Sequence, residues 1–121
     1  MIIGVGTDIV IIDRINKIYA KHGQTFLDRI LTKSELEQFL LLKEDSQIRF
    51  LAKRYAAKEA VAKAFGTGIG TMMKFHDIII SNDPSGAPIA KVIADIGQNK
   101  KISISISDDP PIAVAFALIY Q

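Results

Sequence analysis

Residues 2–10 alternate between two kinds of side chain, and this period of two predicts a β-strand. The side chains of one face are mostly branched and apolar: Ile3, Val5, Thr7 and Ile9. The other face carries two glycines and a carboxylate: Gly4, Gly6 and Asp8. Because glycine has no side chain, we expect open room in front of Asp8 on that face.

Two helices are predicted in the stretch that follows the strand. The first spans residues 14–21, with Asp13 as its N-cap and Gly23 as the residue that ends it. The second is predicted to start within residues 32–35, Thr-Lys-Ser-Glu, and Ser34 with Glu37 also fits a capping box.

A third and longer helix is predicted over residues 48–65. It is rich in alanine and lysine, which are both good helix formers, and the glycine run of residues 66–70 ends it. The residues of its apolar stripe are Ile48, Leu51, Tyr55 and Ala62.

The last third of the chain predicts two β-hairpins. The first pairs residues 75–81 with residues 87–93 across a cluster of turn residues. In the second, residues 102–107 alternate isoleucine with serine and are followed by the apolar residues 112–120. A strand, then helices, then hairpins predicts an α+β fold, with an antiparallel sheet and a long central helix in one domain spanning 1–121.

Composition narrows the possible functions. The 121 residues carry 15 Lys and Arg against 13 Asp and Glu, a net charge of +2, and 49% of them are hydrophobic, as expected for one domain. The absence of cysteine excludes disulfide scaffolds, cysteine–zinc sites and thiol nucleophiles. The small charge and the 7% aromatic content argue against a nucleic-acid partner.

The apolar runs of the chain are too short or too polar for a membrane or export segment. Asp8 interrupts the N-terminal run, which has no basic region before it. Residues 112–120 fall well short of the roughly 20 residues of a membrane helix. We therefore expect a soluble, cytoplasmic protein with no membrane partner.

Two pairs of charged residues lie four positions apart in the long helix. Glu59 and Lys63 fall at the edge of the apolar stripe, so both are expected to point into a cleft beside the core. Arg54 and Lys58 fall on another side, where their mutual repulsion would be reversed by a bound anion. Alternatively, the helix is lysine-rich and solvated, and Glu59–Lys63 is an ordinary surface ion pair.

Asp8 is a candidate metal ligand. A carboxylate in an apolar strand is costly unless it is paired or binds a metal. Mg²⁺ takes one or two carboxylates and fills its other positions with water and phosphate oxygens, so Asp8 and Glu59 would suffice if the strand packs against the long helix. The structural alternative is that Asp8 caps a turn or pairs with a lysine or arginine.

Two loop regions are weaker candidates for ligand binding. The backbone N–H groups of Gly66, Thr67 and Gly68 are expected to approach a phosphate, although Gly66 also has a structural role at the helix end. Ser107 lies next to a turn and is the serine of its strand expected to meet a ligand; the alternative is a polar strand face.

The first predicted helix carries a cationic stripe, which consists of Arg14, Lys17 and Lys21. One interpretation is a dock for an acidic helix of another protein, and the other is a solubilising face.

Three segments together resemble the small bacterial type of 4′-phosphopantetheinyl transferase. Residues 4–10 read Gly-Val-Gly-Thr-Asp-Ile-Val, and residues 50–60 read Phe-Leu-Ala-Lys-Arg-Tyr-Ala-Ala-Lys-Glu-Ala. Residues 63–70 follow with Lys-Ala-Phe-Gly-Thr-Gly-Ile-Gly. The resemblance implies the fold of that family and the transfer of 4′-phosphopantetheine from coenzyme A to a serine of apo-acyl carrier protein, for fatty acid biosynthesis, with release of adenosine 3′,5′-bisphosphate.

The resemblance also implies roles for individual residues. Asp8 and Glu59 would hold Mg²⁺ against the coenzyme A pyrophosphate, and Lys63 would neutralise charge on the phosphates. The residues implied along the nucleotide are Arg54, Lys58, Gly66, Thr67, Gly68, Ser107 and Asp108. The stripe of Arg14, Lys17 and Lys21 would receive the acidic carrier protein. Small members of the family are homotrimers with sites between subunits, so the same assembly is expected here.

The chain departs from the family pattern at two positions. Asp108 stands where many members have histidine, and Ile11 stands where many have glutamate. Glu59 is the favoured general base for the serine hydroxyl, with Glu35 as an alternative. Two other functions use the same features: a Mg²⁺-dependent nucleotide or pyrophosphate hydrolase, and a non-catalytic binder of acidic helical proteins.

Overall fold

The computed structural model describes residues 1–121 and has an α+β architecture, as predicted. Its strands are β1 (Ile2–Ile11), β2 (Ile78–Asn82), β3 (Pro88–Val92), β4 (Lys101–Asp109) and β5 (Ile112–Tyr120). Its helices are α1 (Ile12–His22), α2 (Gln24–Ile30), α3 (Lys33–Leu40) and α4 (Glu44–Ala64). Every pairing between strands is antiparallel. No helix is both long enough and apolar enough to cross a membrane.

The strands form two sheets. β1, β5 and β4 lie side by side in that order, and β2 pairs with β3 in a separate hairpin. Register in the larger sheet places Thr7 opposite Phe116 and Phe116 opposite Ser105. Since residues directly opposite share a face, one face of this sheet carries an apolar stripe flanked by the serine row of β4.

The other face of this sheet packs against α4, and two glycines allow the close approach. A side chain at Gly6 would overlap the Ala60 carbonyl oxygen and come within 2.6 Å of the Ala64 nitrogen. A side chain at Gly4 would overlap the Ala64 carbonyl oxygen in the same way. The expected open room does not lie beside the glycines, because the backbone of α4 fills the space there.

The buried core has two parts, one on each side of α4. One part joins alanines of α4 to the alanines of β5 and to Ile78 and Ile80 of β2. The other joins Leu51 to the apolar residues of α1, α2 and α3. Since α4 is covered on nearly every side, most of its residues from Leu51 onward are buried, and the alternative of a solvated helix is wrong.

Two helix starts and one capping box differ from the prediction. α4 begins at Glu44, four residues before the predicted start. α1 begins at Ile12, directly after β1, so Asp13 lies in its first turn and not at its N-cap. The Ile12 N–H instead donates to the Pro111 carbonyl at 2.9 Å. α3 begins after Thr32, whose N–H donates to Glu35 Oε1 at 2.9 Å, so the predicted start within residues 32–35 is confirmed, but the capping box is formed by Thr32 and Glu35 and not by Ser34 and Glu37.

Two further segments differ from the predicted elements. α2 was not predicted, although its buried residues Phe26, Leu27 and Ile30 have helical spacing. Residues 75–77 form a 3₁₀ turn before β2, where a strand was expected. The predicted Gly23 and Gly66 helix ends are confirmed, with φ angles of 57° and 80° that suit glycine.

Candidate active site

Asp8, Glu59 and Lys63 line one cavity between β1, α1 and α4, with a volume of about 270 Å³. Asp8 points toward α4 because its strand face is the one covered by the helix. Glu59 and Lys63 lie one helical turn apart, so both reach the same cavity. The packing of the strand on the long helix brings together the two carboxylates and the lysine that the sequence singled out.

Lys63 forms a hydrogen-bonded ion pair with Asp8 in this structure. Its Nζ donates to Asp8 Oδ1 at 2.9 Å and to the Thr7 carbonyl at 3.1 Å. The hydrogen bond to Asp8 raises the pKa of Lys63, and the charges of Asp8 and Glu59 add to the effect. The structural alternative for Asp8, pairing with a lysine, is thus realised, whereas the predicted surface ion pair between Glu59 and Lys63 is not.

Two negative charges face each other across the cavity. Burial raises the pKa of Glu59, and the nearby charge of Asp8 raises it further, while Lys63, Arg29 and a hydrogen bond from Tyr55 oppose the shift. A divalent cation between the carboxylates would relieve this repulsion. No third histidine, cysteine or acidic side chain joins them, so a metal here would need water or substrate oxygens as further ligands.

The cavity continues into a groove along α4. A second cavity of about 450 Å³ shares Ile18, Tyr55 and Glu59 with the first, and its apolar walls include Phe26 and Phe75. A third cavity, of about 530 Å³, continues from Phe75 to a polar end. The residues of that end are Asp28, Arg29, Lys74 and His76. The groove therefore begins at the carboxylates, passes aromatic walls and ends at polar side chains.

Comparison with known proteins identifies the family. Residues 4–115 match the 4′-phosphopantetheinyl transferase superfamily. The chain belongs to this superfamily. It is 47% identical, over 98% of its length and 97% of the relative, to a holo-[acyl-carrier-protein] synthase of Vibrio atlanticus (strain LGP32).

Two solved structures show that the likeness to the superfamily extends to the whole fold. The holo-[acyl-carrier-protein] synthase of Neisseria meningitidis has a TM-score of 0.89 and 39% identity, with 100% of both chains covered. The synthase of Bacillus anthracis, solved in complex with CoA (3′,5′-ADP), has the same TM-score and identity, with 98% of this chain and 96% of that chain covered. The predicted fold and family are confirmed.

Arg54 is predicted to lie along the nucleotide. Its side chain is buried, with an exposed fraction of 5%. Its Nη2 donates to Asn82 Oδ1 at 3.1 Å, and its guanidinium lies 4.4 Å from the centre of the Phe50 ring. Burial lowers the pKa of Arg54, while the charge of Glu35 opposes this shift. Its contacts tie α4 to β2, and the side chain also lines a cavity of about 380 Å³ with Phe50, Lys53 and Asn82, so the nucleotide contact stays a prediction.

Lys58 is withdrawn from any ligand. Its side chain is wholly buried, and its Nζ donates to Glu35 Oε1 at 2.6 Å. Burial lowers the pKa of Lys58, and the charge and hydrogen bond of Glu35 oppose this shift. An anion cannot bind between Arg54 and Lys58 as predicted, because Lys58 Nζ is buried and already donates to Glu35 and to two carbonyl oxygens.

The glycine turn after α4 has no free N–H group at its first three residues. The N–H of Gly66 donates to the Lys63 carbonyl at 2.9 Å, and those of Thr67 and Gly68 donate to the Ala62 carbonyl. These bonds complete the C-terminus of α4. The prediction that these N–H groups approach a phosphate is therefore contradicted, and the structural role of Gly66 holds.

Ser107 and Asp108 point to opposite faces of β4. Ser107 lies opposite Val114, on the face that α4 does not cover. Asp108 accepts from Arg49 Nε at 2.6 Å and lies 3.5 Å from Lys53 Nζ. Burial alone would raise the pKa of Asp108, but these two cations hold it below its usual value.

The cationic stripe of α1 lies on the surface, as predicted. Arg14, Lys17 and Lys21 are all exposed, and Lys17 is also paired with Asp13 at 3.1 Å. Arg14 borders the cavity that holds Asp8 and Glu59. The Arg14 end of the stripe therefore lies next to the candidate site.

Proposed function

We propose that the chain transfers 4′-phosphopantetheine from coenzyme A to a serine of apo-acyl carrier protein. The products are holo-acyl carrier protein and adenosine 3′,5′-bisphosphate, and the reaction serves fatty acid biosynthesis in the cytoplasm. The observation that carries the proposal is the meeting of Asp8, Glu59 and Lys63 at one cavity, in a chain that matches holo-[acyl-carrier-protein] synthases over its whole length.

In this mechanism, the serine oxygen forms a bond to the phosphorus that carries pantetheine, and the bond from that phosphorus to the bridging pyrophosphate oxygen breaks. The nucleotide leaves as adenosine 3′,5′-bisphosphate, and the serine proton passes to a base. Lys63 is placed to neutralise charge that develops on the phosphate oxygens. Its side chain is half exposed, and its Nζ, which donates to Asp8 and to the Thr7 carbonyl, has a third N–H group for a phosphate oxygen.

Asp8 and Glu59 would hold a Mg²⁺ ion in this proposal. The fit rests on their chemistry, since two facing carboxylates with a raised pKa at Glu59 suit a divalent cation. When bound, the ion would act as a Lewis acid toward the pyrophosphate. The remaining ligands would be water and phosphate oxygens.

Glu59 is the favoured general base because the alternative, Glu35, is wholly buried. The oxygens of Glu35 accept from Lys58, from the Thr32 N–H and from the Ile80 N–H. A buried carboxylate whose oxygens already accept these hydrogen bonds cannot reach a serine of the carrier protein. Glu59 borders the cavity that also contains Arg14 of the carrier-binding helix.

The groove beside Glu59 suits the pantetheine arm of coenzyme A. The arm is a long chain that joins the pyrophosphate to the thiol, and its middle is partly apolar. The walls formed by Phe26, Tyr55 and Phe75 match this character, since ligand sites combine apolar walls with a few polar groups. We place the pyrophosphate at Asp8 and Lys63 and the arm along these rings. Near Asp108, Arg49 and Lys53 offer cations to a nucleotide phosphate.

A single assay tests the function. The protein is incubated with coenzyme A, Mg²⁺ and an apo-acyl carrier protein, and the intact mass of the carrier is followed. We expect a gain equal to one phosphopantetheine group. Nucleotide breakdown without modification of the carrier would favour the hydrolase, and binding of the carrier without either reaction would favour the non-catalytic binder.

Reversing the charge of Arg14 tests the carrier-binding surface. In Arg14→Glu, we expect the KM for the carrier protein to rise about tenfold, since a like charge now faces an acidic partner. The KM for coenzyme A should change little. Lys91→Glu, which alters an exposed lysine of β3, is the matched control. Equal effects of the two substitutions would contradict a specific role for α1.

The uncovered face of the larger sheet supports a homotrimer. Val5, Ile9 and Phe116 are exposed there, with Phe116 at 45%. Apolar side chains in register across neighbouring strands form a continuous patch of the kind that protein interfaces cover. We propose that a homotrimer buries this face against neighbouring copies.

Placing a charge in this patch tests the assembly. We expect Phe116→Asp to shift the protein from trimer to monomer in light scattering, because the interface would have to bury an unpaired carboxylate. Leu41→Asp places the same charge on a leucine of the α3–α4 turn that is 88% exposed, and it should stay trimeric. A monomeric wild-type protein would contradict the assembly.

A further inference from the structure

The ion pair between Lys58 and Glu35 has no part in the chemistry of the proposed reaction. Its two side chains have an exposed fraction of 0%, and the Nζ and Oε1 atoms lie 2.6 Å apart. The pair is the point where four separate segments meet α4.

Stability alone does not account for this pair. Two charges lose their hydration when buried, and an apolar pair of similar volume is often equally stable or more stable. Apolar packing lacks the directional character of these bonds, whose lengths lie between 2.6 and 3.2 Å. Directional bonds fix the relative positions of the segments that make them.

Each end of the pair binds backbone groups of other segments. Lys58 Nζ donates to the Ile30 carbonyl at the end of α2, at 2.7 Å, and to the Phe75 carbonyl in the 3₁₀ turn, at 3.2 Å. Glu35 accepts the Thr32 N–H at 2.9 Å and the Ile80 N–H of β2 at 2.7 Å. The pair therefore connects α2, α3, the 3₁₀ turn and β2 to α4.

The same segments supply the walls of the groove. Glu59 follows Lys58 directly on α4, Arg29 precedes Ile30, and Phe75 is itself a wall residue. The Phe75 ring lies 5.4 Å from that of Tyr55, between centres. A shift at the ion pair would therefore change the distance between Glu59 and the opposite wall.

We propose that Lys58 and Glu35 are positioning residues for the transfer reaction, which set the width of the groove between Glu59 and the wall formed by Phe75 and Arg29. The inference rests on the proposed function, in which this groove holds the pantetheine arm. A pantetheine arm held in a fixed position keeps the pyrophosphate in line with the attacking serine. Misplacement of the reacting atoms by about 1 Å can lower the rate about a hundredfold.

The double substitution Lys58→Met/Glu35→Gln tests the proposal. It removes both charges and keeps an acceptor for the Ile80 N–H, so no unpaired charge is left buried. We expect a folded protein whose kcat/KM for coenzyme A falls by about tenfold or more. Adenosine 3′,5′-bisphosphate has no pantetheine arm, so its affinity in calorimetry should stay within about twofold of the wild type, a split that a merely structural role would not produce.

Two further variants keep the result decisive. Ile119→Val removes one buried methyl group on the sheet side of α4 and should lower stability without changing kcat/KM. If the first double variant does not fold, Lys58→Gln/Glu35→Gln replaces it. Three results would overturn the proposal. They are wild-type kinetics in a folded double variant, a loss of bisphosphate affinity equal to the loss of kcat/KM, and failure of both double variants to fold. An inactive wild-type protein would instead overturn the proposed function.

Discussion

Glu59→Gln is expected to lower kcat for phosphopantetheine transfer by about a thousandfold, the loss typical of a removed general base. Glutamine keeps the size of the side chain, but it accepts no proton and carries no charge for a metal. The measurement is the rate at which the intact mass of the carrier increases at saturating coenzyme A and Mg²⁺. Affinity for Mg²⁺, measured by calorimetry, should fall as well.

The fold should tolerate this change, because Glu59 borders a cavity and its burial, which raises the pKa of its carboxyl group, already favours the uncharged form. Glu37→Gln alters an exposed glutamate of α3 and should transfer at the wild-type rate. Asp8→Asn should also lose transfer, since it removes the second carboxylate. Wild-type rates in both site variants would show that the metal and the base lie elsewhere.

The order and type of most elements could be predicted from the sequence because their patterns are local. Alternation of isoleucine with serine in β4 and the glycine at the end of α1 depend on neighbours a few positions away. α2 escaped prediction because only seven residues carry its pattern. Its helical spacing is present, but a segment this short between two turns gives a weak periodic signal.

The three residues of the candidate site could be predicted because each stands out in its own segment. Asp8 is the one acidic residue of β1, and Glu59 and Lys63 are spaced by one helical turn. The partner of Lys58 could not be predicted in the same way, since Glu35 lies 23 positions earlier in the chain. A helical wheel shows which residues share a side, but burial of that side depends on packing with distant segments.

The cations beside Asp108 were missed for the same reason. Arg49 lies 59 positions before Asp108, and only the packing of β4 against α4 brings them to 2.6 Å. The resemblance to the family implies that this acidic residue stands where many members have histidine. It gave no indication that two cations pair with this acidic group.

Gly4 and Gly6 of β1 allow α4 to pack close enough to bring Glu59 and Lys63 next to Asp8. Gly6→Ala tests this explanation. The added methyl group would overlap the Ala60 carbonyl and lie 2.6 Å from the Ala64 nitrogen. Backbone atoms of a helix cannot yield as a flexible side chain can, so α4 must move away from β1. We expect the free energy of unfolding to fall by about 3 kcal/mol, at the upper end for overpacked cores, as measured by urea denaturation.

The displacement caused by Gly6→Ala should also impair transfer, because Ala60 is the neighbour of Glu59. Moving α4 outward separates Glu59 and Lys63 from Asp8, and both the carboxylate pair and the Lys63–Asp8 bond depend on that spacing. Gly70→Ala is the matched control for stability, since a side chain there meets no atom within 4 Å. Full stability and full activity in Gly6→Ala would mean that close contact between strand and helix is not what assembles the site.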